Sequence, residues 1–209
     1  MVDHLQQQNI DGFFAGAPWN SVAIQRGVGE CLLTSNDLWQ SAPDKVLGMT
    51  RQWAEEHPNV VSALVRALDQ SCIWLDNNRE AAARILAEAI NVSEAAILPA
   101  MTGQFTYRGN KAPVQVPDML VFHRYMANYP WPQHASWFVQ QLQRWNWVKG
   151  DLDCKQLIAD CYRTDLYRQA LKSATIPAEE TPLLFSHTEN WSLGEVPMAA
   201  TAFRYPGAN

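Results

Sequence analysis

Ile10-Asp11-Gly12-Phe13-Phe14-Ala15-Gly16-Ala17-Pro18-Trp19-Asn20 runs from a short apolar segment through a small-residue turn into a helix start. Ile10 to Ala15 reads as a buried strand, since an apolar run this short fits a strand covered on both faces. Gly12 and Gly16 let the backbone bend there or come close to another group. Pro18 presets a helix-compatible φ, and Ser21 to Arg26 continues as a short helix. In open α/β sheets ligands sit beyond the carboxyl ends of strands, so a turn bearing Trp19 and Asn20 is a binding edge. The competing reading has Trp19 packing under the helix.

Outward from this turn, Gly27 and Gly29 close the helix and Cys31 to Thr34 reads as a second short strand. The G-x-G here ends a helix instead of opening one, so it is no dinucleotide fingerprint. Ser35-Asn36-Asp37 offers N-cap chemistry before Leu38-Trp39-Gln40. Val46 to Met49 reads as a third strand, and Thr50 caps a helix starting at Arg51. Pro58 fits a first helical turn, and Val61, Leu64, Val65, Leu68, Cys72 and Leu75 form an apolar stripe that predicts a core helix.

Asn77-Asn78 separates this helix from one carrying Ile85, Leu86 and Ala89, and Ser93 caps a short helix through Leu98. Gly103 to Pro117, with Arg108 and Lys111 solvated, reads as an irregular surface loop. Asp118 to Asn128 is expected to be helical, with His123 a satisfied core or groove residue. Trp137, Phe138, Leu142 and Trp145 mark an aromatic helix, at packing intervals that argue against a carbohydrate platform. Leu152 to Cys161 and Asp165 to Lys172 predict two more helices. From Ile176 a tail is expected to strap over the body through Leu183, Leu184, Phe185 and Trp191.

Composition bounds the function. The chain has 209 residues, 47% hydrophobic and 18% charged, enough for a sizeable core, and a net charge of −5 that disfavours nucleic acid. No apolar run approaches the roughly 18 residues that span a bilayer, and Met1 to Gln8 lacks a basic start and an apolar signal core. The literal expectation is a cytoplasmic protein, or a periplasmic or membrane-anchored one if a signal precedes this sequence. Cys31, Cys72, Cys154 and Cys161 lack zinc-site spacing and read as free thiols, which suits a reducing compartment. No catalytic motif is visible, so the expectation is a binding protein without metal or cofactor, not an enzyme.

GFFAGAPWNSVAIQRGVG, from Gly12, and LLTSNDLWQSAPDKVLGMTRQWAEEHPNVVSALVRAL, from Leu32, resemble the second half of the nitrate- and bicarbonate-binding proteins of ABC importers (NrtA/CmpA type) and the related cytosolic nitrate sensors (NasS type). Gly103-Gln104-Phe105, Asn128-Tyr129-Pro130, Gln143-Arg144-Trp145 and Arg163 to Arg168 look like later landmarks of that family. The resemblance implies an α/β fold of the type II periplasmic-binding-protein kind, helix-rich and lacking most of the first lobe. Residues 1–45 would end the second lobe, 46–175 would be a helical return to the first lobe, and 176–209 an irregular tail.

Small planar anions need N–H donors and apolar walls that strip water. The Ala17 to Asn20 turn can supply these through the Trp19 indole, the Asn20 amide and a helix N-terminus, while Trp39 and Gln40 add a second aromatic wall and another neutral amide. By resemblance the family's G-E-P-W-N motif falls on Gly16, Ala17, Pro18, Trp19 and Asn20, with Ala17 replacing its glutamate. Gln40 stands where nitrate binders carry lysine and bicarbonate binders glutamate. These departures argue against calcium-assisted bicarbonate binding and shift the expected ligand toward nitrate at lower affinity, or nitrite. Pro18, Trp19, Asn20, Trp39 and Gln40 are the candidate ligand-binding residues. The expected partners are a small anion and either an ABC permease or a cytosolic regulatory protein, with self-association through the incomplete lobe. A different class, a helical protein-interaction module without a small ligand, is the alternative, as is binding of another oxyanion or a sulfonate.

Overall fold

Capping residues and glycines divide a helix-forming sequence into short elements. The computed structural model describes residues 1–38, 43–107, 112–116, 118–149 and 153–172. Their backbone contacts form two units, Met1–Asp44 with Trp74–Phe122, and Lys45–Ile73 with residues 123–172.

The first unit holds α1 (Val2–Gln6), α2 (Trp19–Gln25), α3 (Ser35–Leu38), the last turn of α5 (Pro58–Asn77), α6 (Arg79–Ala89), α7 (Glu94–Thr102), β1 (Gln104–Phe105) and β2 (Val114–Gln115). Ala82, Ala83 and Ala87 present small side chains from α6, so Ile97 and Met101 of α7 pack closely against them. Val22 and Ala23 of α2 meet Ala96 and Val2 in a second cluster. The Ser93 hydroxyl, next to α7, donates to Gln25 Oε1 at 2.6 Å and ties the end of α2 to the start of α7. Just before α6, the buried Asp76 carboxylate accepts from the Phe122 backbone N–H at 3.2 Å and pairs with Arg79, whose guanidinium lies 5.0 Å above the Phe122 ring.

Gly103 ends α7 at φ +76, and a Cβ there would lie 2.5 Å from the Val116 carbonyl oxygen. Only glycine fits, because both the left-handed backbone and the close approach exclude a side chain. That approach lets Val116 N–H donate to Gly103 O at 2.7 Å and brings β2 antiparallel to β1, pairing Gln104 with Gln115.

The second unit contains α4 (Arg51–Glu56), most of α5, a 3-10 turn at Arg124–Met126, α8 (Pro132–Arg144), α9 (Cys154–Cys161) and α10 (Thr164–Leu171). Thr50 caps α4 by accepting from Trp53 N–H at 3.3 Å, and Asp153 caps α9 by accepting from Gln156 N–H at 2.9 Å. Its core is aromatic: Tyr129 meets Trp131 and Tyr167 edge to face at 4.9 and 5.3 Å. Asp69 of α5 anchors a polar network beside these rings. Its Oδ1 accepts from Asn128 Nδ2 at 2.8 Å and from the Tyr167 hydroxyl at 3.3 Å, with His123 Nε2 at 3.5 Å. His123 is thus a structural partner of Asp69, as expected.

Several elements differ from expectation. Ile10 to Ala15, Cys31 to Thr34 and Val46 to Met49 form no strands; among the described residues only β1 pairs with β2, and Cys31 makes one isolated parallel bridge to Tyr107. A strand exists only where a neighbour takes its N–H and C=O groups, and Phe14, Leu32, Val46 and Leu47 are exposed instead of covered. Asp118 to Asn128 is a 3-10 turn and irregular chain, because Asp118, Tyr125 and Met126 adopt positive φ, which a right-handed helix cannot contain. The segment after Gly103 carries the β hairpin and a buried Phe105, not only a surface loop. The α5 stripe is only partly core: Val61 is buried, whereas Leu64 and Leu68 are exposed. Arg108, Lys111 and the tail from Ile176 lie outside the described residues.

Candidate functional site

The turn that opens α2 is built by Gly16 and Pro18. Trp19 N–H donates to Gly16 O at 3.3 Å, and Val22 N–H to Pro18 O at 3.0 Å, so the helix starts at Trp19 with Pro18 as its N-cap. Pro18 therefore sits one position before the helix, after a cis Ala17–Pro18 peptide, not within its first turn. Pro18, Ser21, Val22 and Ala23 are buried, which fixes the base of the turn.

Trp19 points the other way and is 44% exposed. This disposes of the reading in which its ring only packs under the helix. Asn20 is half-buried; its Oδ1 accepts from Ser21 N–H at 2.9 Å. With the oxygen so engaged, the Asn20 Nδ2 group is left as a donor, and among the described residues neither it nor the Trp19 indole N–H has a partner. Two neutral donors thus stand side by side in sequence on an ordered turn. Arg26, at the far end of α2, is paired with Asp3 at 2.7 Å. Trp39 and Gln40 lie outside the described residues.

A concavity of about 470 Å³ opens at the other end of α2, lined by Ile24, residues 27–31, Thr106 and Tyr107. Of the described candidates, Pro18, Trp19 and Asn20 do not line it. Its wall is organised by a network that sequence reasoning missed. Asp37 Oδ2 accepts from Thr34 N–H at 2.6 Å and from the Thr34 hydroxyl at 2.8 Å, and the Tyr107 hydroxyl lies 3.4 Å from Asp37 Oδ1. The Thr34-x-x-Asp37 spacing is a capping-box signature and was readable. Tyr107 is seventy positions away from Asp37, and no local pattern announces it. Burial, and then the Asp37 charge, push the Cys31 thiol up, so it stays protonated and is no nucleophile. The Tyr107 hydroxyl is likewise raised, chiefly by burial. All four cysteines are free. Among the described residues no group of three His, Cys, Asp or Glu could hold a metal ion, and no helix is long and apolar enough to cross a membrane.

Helices gathered around few strands among the described residues carry part of a periplasmic-binding-protein fold. One solved structure that it matches is the periplasmic nitrate-binding protein NrtA from Synechocystis PCC 6803, at 27% identity and a TM-score of 0.79, over 87% of this chain and 49% of that one. In sequence it is 26% identical to the nitrate/nitrite binding protein NrtA of Nostoc sp. PCC 7120, over 87% of this chain and 42% of that protein. It is 32% identical to the nitrate import ATP-binding protein NrtC of Synechocystis sp. PCC 6803, over 82% of this chain and 26% of that protein. The NMT1-like family matches residues 1–91. The chain is therefore similar, over a C-terminal region, to the nitrate- and bicarbonate-binding protein type. It spans from about a quarter to half the length of these relatives.

Proposed function

We propose that this chain contributes one wall of a binding site for a small inorganic anion, nitrate or nitrite, and has no enzymatic role. The observation that carries the reading is the α2 turn. Its base is buried and fixed, while the Trp19 indole N–H and the Asn20 Nδ2 group have no partner among the described residues. Neutral donors beside an apolar ring suit a weakly basic anion, which is attracted without the desolvation cost of a buried cation. Trp39 and Gln40 complete the proposed set, with Pro18 shaping the turn. Similarity to proteins named for nitrate and nitrite supports the ligand class.

Residues 1–45 then end a second lobe, 46–175 return toward the first, and 176–209 form the tail. Anion binding acts by a population shift toward a closed form. The output is either docking on an ABC permease or release of a cytosolic regulatory partner. Titration of the chain with nitrate, nitrite, bicarbonate and taurine, read by tryptophan fluorescence, tests the site. A saturable response to nitrate or nitrite that Trp19→Ala or Gln40→Ala weakens at least tenfold is expected. Identical curves for wild type and variants remove those residues from any site, and no response removes the anion.

A further inference from the structure

We draw no further inference here: the strongest candidate, the concavity of about 470 Å³ at the far end of α2 beside Cys31 and Tyr107, carries nothing, since nothing in the structure shows what covers it in a chain that spans no more than about half the length of the relatives it matches.

Discussion

His134 supplies a pH test of the second unit's packing. It lies in the first turn of α8, is 4% exposed, and burial lowers its imidazole to about 4 from the ordinary 6.5. The unfolded chain therefore takes up a proton between about pH 6.5 and 4 that the folded chain refuses. Stability from keeping His134 neutral is fully present above pH 6.5, is lost progressively as pH falls, and is exhausted near pH 4. The 2.5-unit interval from 6.5 to about 4 is worth about 3 kcal/mol in full, of which about 2 kcal/mol is gone by pH 5. Urea unfolding of wild type and His134→Gln at pH 8, 6 and 5 measures this, because glutamine fills the site without titrating. The variant is expected to lose about 2 kcal/mol less than wild type between pH 8 and 5. Carboxylates held low by arginines, such as Asp165 beside Arg163, lose stability in acid equally in both proteins and cancel. Parallel pH curves, or an imidazole proton resonance titrating near 6.5, would refute the reasoning.

Asp69→Ala should cost about 2 to 3 kcal/mol and Tyr167→Phe about 1, and the double variant should cost less than their sum by at least about 0.5 kcal/mol in a denaturation cycle. The Tyr167 hydroxyl is raised by burial and then by Asp69, so wild type should lose stability as pH climbs above the unfolded value of about 10, a loss that Tyr167→Phe removes. Gly103→Ala should cost about 2 to 4 kcal/mol in thermal or urea unfolding, since the left-handed φ and the Val116 carbonyl both oppose the added carbon.

Helix positions were largely legible because their signals are local. Thr50 before Arg51, Pro58 at the start of α5 and Asn78 before α6 act through groups within four residues. Asn78 shows how local the code is: its amide donates back to Trp74 O at 2.9 Å and closes α5. The candidate turn was legible for the same reason, whereas the exposure of Trp19 and the Asn20–Ser21 hydrogen bond were decided by the structure. The strands were not, because apolarity marks a segment able to pair without supplying the neighbour that pairs with it. Nor was the reversal at Tyr125 and Met126, which adopt a φ that neither residue type favours.

The sequence by itself determined where the helices after Thr50, at Pro58 and after Asn78 begin, that the thiols have no metal-site spacing, and where the candidate turn lies, since each depends on near neighbours. Tertiary structure alone decided which half of the α5 stripe faces inward, that Asp37 meets Tyr107, and that Gly103 must admit the Val116 carbonyl. Those outcomes depend on the segment that arrives from elsewhere in the chain, and the free energy of burying one face over another exceeds any preference written within a single turn.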